Sequence, residues 1–198
     1  MYQASSTLQM TSQNTAQKVL GVMNIYEEEI AQQIELLRSK NFIEKALSNL
    51  NLDVSYFSKG KILNNELYSA SPYNVEFRNI TSSIYNTPIH ISFPNRNSIH
   101  TSYSIENELF QKPIDINKWS VLEHVEIKIQ INDFDRIVLQ QDQFQHNPYF
   151  FKINNTDEEL RKYYNKIQMK LLNAAAKTIQ VTLSDENPQK AADIINAI

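Results

Sequence analysis

Four histidines, at positions 90, 100, 124 and 146, are the residues best suited to acid–base or metal chemistry. His90 and His100 fall on neighbouring predicted strands and could meet across a hairpin. A zinc site needs a third ligand, and no close His pair of the H-E-x-x-H kind is present. The ordinary reading is solvated histidines on strand faces, so no metal and no cofactor are expected. Carboxylates gather at Glu27–Glu29, Asp133/Asp135 and Glu158/Glu159. A glycosidase needs two of them about 5 to 10 Å apart in a cleft, whereas the Glu27 and Glu158 clusters are better explained as charges at helix N-termini. Asp133-Phe-Asp135 lacks the turn glycine and terminal Glu of a calcium loop and reads as a hairpin turn, with Asp135 helping the reversal. Among the aromatics, Trp119 lies in an irregular polar stretch and is the best candidate for stacking on a sugar ring. The others read as core.

Composition narrows the field further. The formal charge of −3 leaves no basic footprint for nucleic acid. The absence of cysteine excludes disulfides, thiolate zinc sites and a cysteine nucleophile. Only Gly21 and Gly60 are available for phosphate-cradling loops, too few for a nucleotide fingerprint. No run of about 18 apolar residues is present to cross a membrane. Hydrophobic residues make up 41% of the chain, with 9 Phe and 10 Tyr, enough for a sizeable core.

The elements that must position these residues follow from periodicity. A strand is expected over Tyr2–Met10, with Thr11–Asn24 polar and ambiguous. Ile30, Ile34 and Leu37 recur at helical spacing over Tyr26–Arg38. A second helix is expected from Phe42 to Asn51, with Asn41 and Glu44 as a capping box. Val54–Lys59 reads as a strand closed by a turn at Gly60. From Tyr73 to Ile153 short alternating strands dominate, clearest at Val125, Ile127, Ile129 and Ile131, interleaved with Glu126, Lys128 and Gln130. A capping box at Thr156 and Glu159 opens a helix lined by Leu160, Tyr163, Tyr164 and Ile167. Thr178–Ser184 is a strand with Ile179, Val181 and Leu183 on one face. Asn187 as N-cap and Pro188 at the first position then open a last helix. Its apolar stripe, Ala191, Ile194, Ile195 and Ile198, meets no stop signal, so the helix reads as truncated and its stripe as open. Elements mixed without regular alternation predict an α+β fold: a mixed sheet packed with helices, a β-rich insertion and a truncated C-terminal helix. Order alone suggests that the first strand and the strand at 178–184 lie side by side.

Several segments together resemble one family. Gln33-Ile-Glu-Leu-Leu-Arg-Ser39, Ile43-Glu-Lys-Ala-Leu47 and Leu50-Asn-Leu-Asp-Val-Ser-Tyr-Phe57 are similar to the pattern of chain-length determinant (Wzz-type) domains. Gly60-Lys-Ile, Glu66-Leu-Tyr68 and Ser71-Pro72 continue it. Tyr2-Gln-Ala-Ser-Ser-Thr-Leu8 resembles the family's first strand, and 179–197 its closing strand and helix. The resemblance covers 2–78 and about 150–198, which implies one periplasmic domain over 1–198 with 1–78 and 150–198 as its core and 79–149 as a β-rich insertion. The longer middle looks like the exopolysaccharide-transport members, including tyrosine kinases of the Wzc kind.

The resemblance implies a periplasmic α+β domain of a bacterial inner-membrane protein, held between two membrane helices outside this chain. Subunits would form a homo-oligomeric ring that holds a polysaccharide polymerase or growing glycan. The ring would thereby set the chain length and export of capsule, exopolysaccharide or O-antigen. No catalytic residue carries over and no Walker-type loop is present, so kinase activity would belong to another domain of the parent. Arg38 and Ser39 match the family motif, and a structural or interfacial role is expected for them. Ile194, Ile195 and Ile198 are expected to serve as interface. The rival expectation is a carbohydrate-binding or adhesion module using the β-rich insert and Trp119.

Overall fold

The computed structural model describes residues 1–10, 23–60, 63–144 and 149–198. Of the expected features, most of Thr11–Asn24 and His146 lie outside the described residues. The elements in chain order are β1 (Tyr2–Gln9), α1 (Met23–Leu37), α2 (Lys40–Leu47), β2 (Val54–Lys59), β3 (Asn64–Glu66), β4 (Tyr73–Arg78), β5 (Ile89–Ser92), β6 (Ser98–Ile105), β7 (Glu108–Asp115), β8 (Ser120–Val121), β9 (Glu126–Ile131), α3 (Phe134–Phe144), β10 (Tyr149–Ile153), α4 (Thr156–Lys166), β11 (Gln168–Asn173), β12 (Thr178–Asp185) and α5 (Pro188–Ala197). The fold is α+β. Its strands form three sheets, and every strand pair is antiparallel, rather than one mixed sheet.

The chain divides into two compact units: unit 1 takes residues 1–51 and 157–198, and unit 2 takes 52–156. The boundary thus falls well outside the expected insertion at 79–149. The reason is pairing: β2 joins β10 and β4 joins β9, which draws 52–78 into unit 2.

Unit 1 is built on the sheet β1-β12-β11. β1 and β12 pair over their full lengths, from Tyr2 opposite Asp185 to Gln9 opposite Thr178. Ile179, Val181 and Leu183 alternate on the buried face. Asn187 caps α5, its side-chain oxygen accepting from Lys190 N at 3.0 Å. The helix lies over β1 and β12, and α2 packs beside it. The apolar stripe expected to be open is therefore covered within this chain: Ala191 and Ile194 are fully buried and Ile195 is 4% exposed, with Ile198 half-buried. Sequence shows the stripe but not the sheet beneath it.

Four further local readings are corrected. The cap of α2 is Ser39, whose Oγ accepts from Phe42 N at 3.3 Å, and not Asn41, so that helix starts and ends earlier than expected. Asp133 opens a helix and not a hairpin, since its carboxylate accepts from Arg136 N at 3.0 Å at the start of α3. The expected Thr156–Glu159 capping box is replaced by other bonds. The Thr156 hydroxyl donates to Asp53, while Glu159 accepts from Lys162. Tyr164, expected on the buried side of α4, is 42% exposed, whereas Tyr163 is fully buried.

Unit 2 packs the six-stranded sheet β3-β2-β10-β5-β6-β7 against the three-stranded sheet β4-β9-β8. Alternate residues of both, among them Ile89, Ile91, Ile99, Tyr149, Phe151, Tyr73, Ile127 and Ile129, fill one core, and Ile137 of α3 joins them. Tyr73 sits at its centre, with Tyr56, Tyr149 and Phe93 ring centroids 5.3, 5.7 and 6.0 Å away. The entry and exit of unit 2 are neighbours. Val54 pairs with Ile153, Asn154 N donates to Asp53 O at 2.8 Å, and Asn154 Nδ2 donates to Leu52 O at 2.7 Å.

Candidate functional site

The outer face of the small sheet in unit 2 carries a connected set of polar side chains. Strand alternation sends Val75, Ile127 and Ile129 inward and leaves Asn74, Glu76, Arg78, Glu126, Lys128 and Gln130 outward. The antiparallel register then sets Arg78 opposite Glu126, Glu76 opposite Lys128 and Asn74 opposite Gln130. Arg78 Nε donates to Glu126 Oε2 at 2.6 Å, and Asn79 Nδ2 donates to the other oxygen at 2.9 Å. Glu76 Oε1 accepts from Lys128 Nζ and from Gln130 Nε2, both at 2.9 Å. Asn74 Oδ1 accepts from the Tyr56 hydroxyl at 2.8 Å.

An aromatic ring stands at each end of this strip. Trp119, 39% exposed just before β8, lies beneath the Arg78 guanidinium, whose carbon is 4.2 Å from the ring centroid. At the other end Gln130 borders a depression of about 640 Å³ with Arg96, Ile116, Asn117, Asn132 and Phe134. There Arg96 sits 4.7 Å over the Phe134 ring and 3.2 Å from Asp135. Each guanidinium thus covers one ring face and is itself held by a carboxylate. The hydrogen bonds from Asn79 and then Arg78 hold the Glu126 carboxyl below its ordinary range. Near neutral pH it is an ionised acceptor, unsuited to donating a proton. The arrangement offers amide, ammonium and carboxylate groups beside an indole, a set that can hydrogen-bond and stack on a flat hydroxyl-bearing ligand. The alternation at 125–131 was visible in sequence; which residues face it across the sheet was not.

Unit 1 presents a second concavity. The groove between α1 and β11, about 790 Å³, is lined by Ile34, Leu36, Arg38, Met169, Lys170 and Leu171 among others. Leu36 is 68% and Leu171 39% exposed. Arg38 borders it at the end of α1, 3.8 Å from Glu35. Ser39, next in the chain, serves as the α2 cap and does not line the groove.

The remaining sequence candidates separate. His90 lies opposite Ser102 and His100 opposite Ser92, so both occupy one face of the larger sheet but in different cross-strand pairs. His90 packs on the Phe150 ring at 5.4 Å. Burial, and then the Lys59 charge, lower its pKa. His124 Nδ1 meets the Tyr103 hydroxyl at 3.2 Å. Among the described residues no group of three or more His, Asp or Glu is placed to hold a metal.

One cluster had no sequence signal beyond the helix cap beside it. Asp185 is 3% exposed at the end of β12, accepting from Asn187 N at 3.0 Å and the Tyr163 hydroxyl at 3.4 Å, with Lys166 Nζ 3.6 Å away. The ammonium of Lys190, a residue 2% exposed, lies 5.5 Å over the Tyr163 ring. No protein-family model and no curated protein matches the chain.

Proposed function

We propose that this chain is a periplasmic scaffold domain of a bacterial inner-membrane protein that sets the chain length and export of a surface polysaccharide, acting by assembly and not by catalysis. The observation that carries this reading is the pairing of β1 with β12 beneath α5. It gathers the family-like segments 2–8 and 179–197 from opposite ends of the sequence, with 40–47 packed beside them as α2, into one unit. Scattered similarity would have no reason to converge in space. The segments 50–57 and 60–72, also family-like, belong mainly to unit 2. No helix among the described residues is long and apolar enough to cross a membrane; on this reading the membrane helices belong to the parent protein.

The covered α5 stripe removes Ile194 and Ile195 as contacts for other subunits. The α1–β11 groove, with Arg38 on its rim, takes that role. Leu36→Asp in the full-length protein, expressed in its bacterium, is expected to leave protein abundance unchanged while shortening or broadening the polymer size distribution on a gel. Normal polymer length at normal abundance would reject the reading.

A second reading rests on Trp119. Its half-exposed indole lies under Arg78, which with Asn79 holds the Glu126 carboxylate, and such a ring beside polar groups is suited to a glycan contact. Glycan-array binding by the whole chain, lost on Trp119→Ala, would favour it; absence of binding would remove it.

A further inference from the structure

The sheet of unit 1 has two outer strands that differ in how well their edges are guarded. β11 carries Lys170, breaks register between Leu171 and Asn173, and packs against α1. These are ordinary devices against edge pairing. β1 also packs under a helix, α5, but has neither a charged side chain nor a register break. Its eight residues, Tyr-Gln-Ala-Ser-Ser-Thr-Leu-Gln, contain no charge, no proline and no bulge. Among the described residues no strand pairs with its outer edge.

The hydrogen-bonding parity of that edge is fixed. Met10 N donates to Lys177 O at 2.9 Å, continuing the β1–β12 register. Even-numbered residues of β1 therefore direct their N–H and C=O groups at β12. Those of Gln3, Ser5, Thr7 and Gln9 point to the open edge. The same odd positions carry the exposed side chains, while Ala4, Ser6 and Leu8, half-buried, share the face of Ile179, Val181 and Leu183 that lies under α5.

We infer that β1 is a self-association edge that pairs antiparallel with β1 of a second copy of this chain. Centred on Ser6, the pairing sets Gln3 against Gln9 and Ser5 against Thr7. Every outward N–H and C=O then finds a partner. Residues directly opposite one another share a face, so the polar face stays polar and Ala4 meets Leu8 on the helix-covered side. The strand is its own complement because it carries no charge to repel its copy. α5 overlies β1, so the two α5 helices approach each other across the same two-fold axis and add a second layer to the contact. A head-to-tail alternative, β1 on β11 of a neighbour, is poorer. It offers only the outward groups of Met169 and Leu171 before the register break, in the less stable parallel geometry. This inference stands apart from the polysaccharide reading and survives its failure.

Sedimentation equilibrium of the chain over about 1 to 100 µM is the test, paired with amide hydrogen exchange of β1. A dimer is expected, with the amides of Gln3, Ser5, Thr7 and Gln9 slowed only as the dimer forms. The variant S5K/T7K places like charges directly opposite each other and is expected to weaken the dimer by roughly 100-fold with unchanged circular dichroism. In the naturally cysteine-free chain, Ser6→Cys is expected to give a disulfide-linked dimer under oxidising conditions, because the axis brings the two side chains together. A monomer throughout the range, or protected β1 amides in a monomer, would overturn the inference. So would a head-to-tail series of larger species that Ser6→Cys fails to cross-link.

Discussion

Among the described residues of unit 2 the buried polar groups are neutral. Asn154 ties Leu52 O and Ser55 Oγ at 2.7 and 2.8 Å, Thr101 donates to Lys112 O at 2.8 Å, and the Tyr73 hydroxyl donates to Phe150 O at 3.2 Å. Each links two strands, so together they fix register and hold one sheet against the other. In unit 1 the buried polar groups include Asp185 and Lys190, gathered around Tyr163 where β12 passes into α5, with Lys166 Nζ 3.6 Å from the Asp185 carboxylate. Neutral groups can lose a partner at the cost of one desolvated atom; a buried charge that loses its partners has far less tolerance. Unit 2 is accordingly held by packing with hydrogen bonds as pins, and unit 1 by a small core with an electrostatic lock on its last strand and helix.

The comparison breaks most readily at Tyr73. Tyr73→Ala removes the ring at the centre of unit 2 and is expected to cost about 3 to 5 kcal/mol. The only tryptophan, Trp119, lies in unit 2, so urea unfolding followed by its emission isolates this loss. Asp185→Ala is next, at about 2 to 3 kcal/mol. It should lower the unfolding midpoint seen by far-ultraviolet circular dichroism while leaving the Trp119 transition in place. If both probes move together, the two units do not differ in the way described.

Two smaller effects sharpen the picture within unit 2. Arg78→Ala uncovers the indole and is expected to cost about 0.5 to 1 kcal/mol, with a red shift of Trp119 emission in the folded state. His90 has its pKa depressed by burial and by Lys59. The unfolded chain therefore binds this proton more readily, and its contribution to stability is complete above about pH 6.5. That contribution is lost as pH falls from there toward the depressed folded value. His90→Gln should flatten the stability profile of unit 2 in that window and leave it unchanged above pH 7.

The elements legible in sequence were those whose signal is local. β12 shows strict alternation and α5 a cap with proline at its first position, and both stand where expected. The pairing of β1 with β12 was also anticipated. What failed needed a partner or an unusual turn. β7 has weak alternation and contains Pro113, tolerable because β7 is the outer strand of its sheet. Its hairpin turns on Glu106 and Asn107, both at positive φ, without the glycine that would have announced it. β11 is short and ends in a register break, and α3 hid behind an aspartate pair that reads equally as turn or cap. Of the candidate site, the outward residues 126, 128 and 130 were visible, but the residues facing them come from fifty positions or so upstream, a distance no spacing rule spans. The α5 stripe was read correctly as apolar and wrongly as open, because burial is a property of what lies opposite.

The clamp at the mouth of unit 2 has a kinetic consequence. Its first and last strands are hydrogen-bonded neighbours, with Asn154 bonded to both Leu52 and Asp53. Once that clamp forms, the two halves of unit 1, far apart in sequence, are tethered as if by a short loop, and the entropy of bringing β1 to β12 falls accordingly. Refolding should then be ordered: recovery of the Trp119 signal precedes the final gain of helix, and a break at Asn154 slows the second phase more than the first.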